Sequence, residues 1–134
     1  MKKEFNLLIV DRNPHIRNFL KREMQIEGHH VQLARNAKEV LKIIYSPEPI
    51  DLIIIDLDLP GASELNLLKC LEDRSPALPF VIHSDLFYYS ESTSLISKAT
   101  FVPKQGSSSE TLKDVVRNLL KESYPRKFEM SENK

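Results

Sequence analysis

Four short apolar runs each end in a reactive side chain, in the order Asp, Asp, Ser, Lys. They are Leu7-Leu8-Ile9-Val10 into Asp11, Leu52-Ile53-Ile54-Ile55 into Asp56, Phe80-Val81-Ile82-His83 into Ser84, and Phe101-Val102-Pro103 into Lys104. Runs this short and aliphatic suit strands buried on both faces, which is how the strands of a parallel sheet read. If all four belong to one sheet, their reactive ends meet at its carboxyl edge, where open α/β sheets keep ligand sites. Two carboxylates, a hydroxyl and an ammonium in one pocket point to a phosphoryl group handled with a divalent cation.

Between the runs the periodicity turns helical. Asn13-Pro14 offers an N-cap with proline at the first helical position, Ile16, Phe19, Leu20 and Met24 follow at helical spacing, and Gly28 stops the helix. His30 to Leu33 reads as a second strand. Asn36 with Glu39 resembles a capping box, opening a helix through Val40, Leu41 and Ile44 that ends at Pro47. A third helix carries Leu65, Leu68 and Leu71, and a serine-rich fourth is expected over 85–98 on Leu95 and Ile96. Ser107 with Glu110 is another capping-box pair, opening a fifth helix on Leu112, Val115, Val116, Leu119 and Leu120. Residues 1–123 therefore form one domain, and the polar stretch 124–134 is a C-terminal tail or linker stub. The class is α/β: a doubly wound five-stranded parallel sheet with helices on both faces.

Composition excludes several functions. Nineteen basic residues balance nineteen acidic ones, so no electrostatic footprint for nucleic acid covers the domain. No apolar run approaches the roughly 18 residues of a membrane span, and the N-terminus has no signal-peptide core, so a soluble cytoplasmic protein is expected. The turn after the first strand, Asp11-Arg12-Asn13-Pro14, is not glycine-rich, and the chain has three glycines in all, which argues against a dinucleotide site. The single cysteine, Cys70, reads as a small core or boundary residue. His15 is expected to be exposed and His83 to be packed; His29-His30 lacks the partners a metal site needs.

With Leu7 to Asp11, Asp51 to Gly61, Ser84 and Lys104 in place, the chain resembles the receiver domain of two-component response regulators over about residues 5–122. The resemblance implies the flavodoxin-like strand order 2-1-3-4-5. It also implies signal transduction in a phosphorelay: a phosphoprotein that forms an aspartyl phosphate with a group taken from a histidine kinase or phosphotransfer protein. Carried over residue by residue, Asp56 is the phospho-acceptor and Asp11 part of the Mg²⁺ pocket. Asp58 lends its backbone carbonyl to the metal, Ser84 hydrogen-bonds a phosphoryl oxygen and Lys104 neutralises another. Ser84 and Phe101 report the phosphorylated state. The implied partners are the kinase and a downstream protein docking on the fourth helix, fifth strand and fifth helix, with a homodimer as a further arrangement and neither nucleic acid nor membrane. The chain itself is not expected to be an enzyme.

The sequence departs from that family at one telling place. The second of two consecutive acids after the first strand is replaced by Arg12. Asp11 and Asp56 then stand against Lys104 and Arg12, a balance of zero unless Asp58 turns inward. Exchanging an anion for a cation within about 5 Å of Mg²⁺ costs several kcal/mol even at an effective dielectric near 20. Weak or absent Mg²⁺ binding is the expectation. Either the Asp58 carboxylate replaces the missing ligand, or Arg12 pairs with Asp56 and stands in for the ion. Asp85 after the hydroxyl, Gln105 after the lysine and Ser63-Glu64 before the third helix also depart from the pattern. Two alternatives therefore accompany the phosphorelay reading: a phosphorylation-independent pseudo-receiver adaptor, and a small flavodoxin-like nucleotide- or flavin-binding enzyme.

Overall fold

A computed structural model describes residues 4–62, 66–74, 77–85, 100–105 and 108–127. In chain order the elements are β1 (Asn6–Val10), α1 (Pro14–Ile26), β2 (His30–Ala34), α2 (Ala37–Ile44), β3 (Leu52–Ile55), α3 (Leu67–Asp73), β4 (Phe80–Ser84), β5 (Thr100–Pro103) and α4 (Ser108–Ser123). The helix expected over 85–98 falls almost wholly outside the described residues, as do Leu65, Ser107 and the Ser63-Glu64 pair, so α4 is the fifth helix of the sequence reading.

The five strands form one sheet in the order β2-β1-β3-β4-β5, every pair parallel, as the family resemblance implied. Alternation along each strand divides the core into two layers. Leu8, Val10, Ile53, Ile55, Phe80 and Ile82 pack with Val40, Ile44, Leu67 and Leu71, so α2 and α3 cover that face. Leu7, Ile9, Leu52, Ile54, Val81 and Val102 pack with Leu20, Met24, Leu112, Val116 and Leu120, so α1 and α4 cover the other. The central strand β3 is apolar at every position and has no face left for water, so a helical layer covers each side of it.

The helix starts follow local chemistry. The Asn13 side chain accepts from the backbone N–H of His15 at 2.9 Å and of Ile16 at 3.4 Å, with Pro14 in the first turn where its missing N–H costs nothing. Gly28 follows α1 at φ 101°, a left-handed turn that a Cβ would oppose. At α2 only half of the expected capping box forms. Asn36 Oδ1 accepts from Glu39 N at 2.9 Å, but the Glu39 carboxylate overshoots the cap and takes Arg35 instead, N–H at 2.8 Å and Nε at 3.1 Å. The arginine fork offers a charged partner that the cap N–H cannot match.

The amino edge of the sheet is closed by residues beyond α4. Tyr124 Oη donates to the Asp51 carbonyl at 2.8 Å, and its ring lies 5.7 Å from Phe5. Lys127 Nζ sits 4.1 Å above the Phe5 ring centroid. The first residues of the stretch read as a tail are thus docked on the domain.

Candidate functional site: the carboxyl edge of the sheet

The sheet ladder runs one residue past three of its strands, and that places the site. Asp11 N donates to Ala34 O at 3.2 Å, Asp56 N to Val10 O at 3.0 Å and Lys104 N to Ser84 O at 3.1 Å. Each reactive residue is therefore fixed by its own backbone before its side chain makes any contact. Asp11, Asp56, Ser84 and Lys104 come together as expected.

Asp56 is the hub. It is 5% exposed. Its Oδ1 accepts from Ser84 Oγ at 2.7 Å and from Asp58 N at 2.9 Å, and its Oδ2 accepts from Lys104 Nζ. The Ser84 hydroxyl in turn accepts from Leu57 N at 2.6 Å, so its single proton is committed to Asp56. Lys104 Nζ also lies 2.9 Å from Asp11 Oδ2, and Asp11 Oδ1 takes Asn13 N at 2.9 Å. All four carboxylate oxygens have donors, yet two buried anions share one ammonium and the trio keeps a charge of −1. Burial works against the Lys104 ammonium, but its hydrogen bonds to Asp56 and Asp11 outweigh that and hold its pKa above the ordinary lysine value.

Neither arrangement foreseen for Arg12 occurs. Its guanidinium NH1 donates to Asp58 Oδ2 at 3.3 Å. The Asp58 carboxylate is therefore turned to Arg12 rather than into the pocket, and Asp56 is paired with Lys104 rather than with Arg12. The reason lies in reach and solvation. Lys104 rises from the neighbouring rim into the buried site, whereas the Arg12 and Asp58 side chains are 58% and 39% exposed and meet in water. A second arginine, Arg17 on α1, donates NH1 to the Asp11 carbonyl at 2.7 Å. Linear spacing carried no signal for that contact, because any exposed arginine of an amphipathic helix reads the same.

The carboxylates of the rim already hold cations of the chain itself. Among the described residues no group of three or more His, Cys, Asp and Glu is arranged to hold a metal ion. Both pocket carboxylates are engaged by Lys104, and the third carboxylate within reach is engaged by Arg12. Mg²⁺ demands near-octahedral oxygen ligation, and this donor set offers it a cationic neighbour where an anion is wanted.

Two further residues border the site. Phe101 pairs in register with Ile82 and packs against the core layer under α2 and α3. His83 is buried, as expected, with Nε2 3.2 Å from Ser108 Oγ at the start of α4 and Nδ1 without a partner among the described residues. Burial first, and the Lys104 charge second, lower its pKa to about 4, so the ring is neutral at physiological pH.

A five-stranded parallel sheet in this order, with an acid, a hydroxyl and a lysine converging on one buried aspartate, defines a class of signalling module. The profile of the family described as response regulator receiver domain matches residues 7–117, and the chain belongs to that family. Its relatives include the DNA-binding transcriptional regulator NtrC of Proteus hauseri, 36% identical over 84 residues that cover 60% of this chain and 18% of the relative. An NtrX-like response regulator of Rickettsia felis is 32% identical over 83 residues, covering 60% and 17%. The chain thus spans less than a fifth of the length of these two relatives. Among solved structures, the response regulator TrrA of Thermotoga maritima, in complex with Mg(2+)-BeF, is 32% identical with TM-score 0.71, covering 86% of this chain and 98% of that one. A receiver domain of Clostridium thermocellum, 20% identical with TM-score 0.76 over 88% and 95%, shares the fold. No helix among the described residues is long and apolar enough to cross a membrane.

Proposed function

We propose that this receiver works in a two-component phosphorelay as a phosphoprotein rather than an enzyme, with Asp56 as the group that takes a phosphoryl from a phospho-histidine on a kinase or phosphotransfer protein. The observation that carries the reading is the setting of Asp56, one oxygen on Ser84 and the other on Lys104 at the rim of β3. A carboxylate is a poor nucleophile towards a phosphoryl anion, so the reaction depends on positioning and on cations that screen the approach. Lys104 supplies one such charge. Ser84 supplies a donor for a phosphoryl oxygen and, with Phe101, links the site to β4 and β5 and so to a downstream partner. Mg²⁺ binds weakly or not at all.

Intact mass after incubation with phosphoramidate tests the reading. A labile adduct of one phosphoryl group is expected on the wild type and none on Asp56→Asn; an equal adduct on both would exclude Asp56 as acceptor. The saturated carboxylates and the Arg12–Asp58 pair favour a second reading, an adaptor set by binding rather than by phosphate. Failure of any donor to label the protein would select it.

A further inference from the structure

We infer that Arg12 supplies, from within the chain, the positive charge that an incoming phosphoryl group needs at Asp56, so that modification proceeds without a divalent cation. This rests on the reading of Asp56 as acceptor and concerns how its charge is balanced. Lys104 is one ammonium for two buried carboxylates, and so it cannot also neutralise a dianion. Asp58 ties Arg12 to the acceptor: its N–H holds Asp56 Oδ1 at 2.9 Å while its carboxylate holds Arg12 NH1 at 3.3 Å. The guanidinium therefore waits one residue away from the reacting carboxylate. With both partners more than a third exposed, that ion pair is weak and easily exchanged for a better one. A planar guanidinium fits two phosphoryl oxygens at once, which a carboxylate held by a single 3.3 Å contact does not exploit.

The charges close without a metal. An oxygen of Asp56 attacks the phosphorus of a phosphoramidate-type donor. The new O–P bond uses the carboxylate's electron pair, and the P–N pair leaves on nitrogen, which departs as a neutral amine because the reacting donor is already protonated there. Exchanging one carboxylate charge for a phosphoryl dianion moves the trio of Asp11, Asp56 and Lys104 from −1 to −2. Arg12 swinging over from Asp58 returns the cluster to −1, its resting value.

The test compares wild type, Arg12→Met and Arg12→Asp, each incubated with phosphoramidate in Mg²⁺ and in EDTA and followed by intact mass, with circular dichroism to verify folding. The wild type is expected to label at the same rate in both buffers. Arg12→Met should lose about tenfold in EDTA, the scale of one charge-assisted contact, and Arg12→Asp should label only with Mg²⁺. Wild-type labelling that requires Mg²⁺, or an Arg12→Met rate in EDTA equal to wild type, overturns the inference and leaves the acceptor reading standing. No adduct on any form in either buffer removes both.

Discussion

The two edges of the sheet each hold a carboxylate, half-buried at one and buried at the other, and treat it differently. At the amino edge, Asp51 Oδ2 receives Asn6 N at 2.7 Å and the Asp51 carbonyl receives Tyr124 Oη at 2.8 Å, under a lid of Phe5 and Tyr124. The contacts there are mainly neutral donors and ring packing. At the carboxyl edge two carboxylates divide a single ammonium, while Arg12 is spent on an exposed aspartate. One edge holds its carboxylate with neutral donors and serves as a foundation. The other gathers two carboxylates around one cation and keeps a net negative charge. Stability is sacrificed at such sites because the groups that react are not those that pack best.

That contrast breaks most sharply at Lys104. Lys104→Met leaves two buried carboxylates facing each other, and urea denaturation should register a loss of about 3 kcal/mol or more. Adding Asp56→Asn to that variant should recover part of the loss, since one of the two like charges is gone. Failure of the double variant to recover anything would mean that Lys104 stabilises by packing, not charge.

The next effect is one of pH. His83 has a folded pKa of about 4 against an ordinary value of 6.5, so the unfolded chain binds the proton more readily between those values. Stability is complete above pH 6.5, falls as pH drops towards 4, and the His83 share of the loss comes to about 3 kcal/mol. Urea midpoints from pH 7 to 4 on wild type and His83→Leu isolate that share; parallel curves would refute it. The amino edge should lose less. Tyr124→Phe removes the hydrogen bond to Asp51 but keeps the ring on Phe5, a cost of about 1 kcal/mol by thermal or chemical denaturation. Smallest is Arg12→Met, whose exposed ion pair contributes less than about 1 kcal/mol. The comparison sharpens there, because the residue with the least effect on folding is expected to slow Mg²⁺-free labelling about tenfold.

Sequence made the strands and the reactive rim legible for a physical reason. Apolar runs such as Leu52 to Ile55 state their own burial, and the residue after each run is placed by backbone pairing whatever its side chain does. Helix starts at Asn13 and Asn36 were equally plain, being local chemistry within four residues. What spacing could not reveal was the choice among partners. Glu39 could answer its own cap or Arg35, Asp58 could face the pocket or Arg12, and Lys104 could take one aspartate or both. Those outcomes depend on reach and solvation, and for Asp58 and Lys104 across forty or more positions of chain. The seat of Tyr124 was missed for a related cause: two aromatics, Tyr124 and Phe128, in a mostly polar stretch are too few to state a buried face.

Tyr124 also fixes where residues 124–127 sit. Its hydroxyl grips the loop before β3 and Lys127 Nζ lies over the Phe5 ring, so these side chains sit at the amino edge, a strand's length of roughly 15 Å from Asp56. A dye, an affinity handle or a further module joined there starts on ground remote from the chemistry and leaves the mouth around Asp56 clear for a donor. Whatever such an attachment feels of events at that mouth must reach it through the body of the sheet.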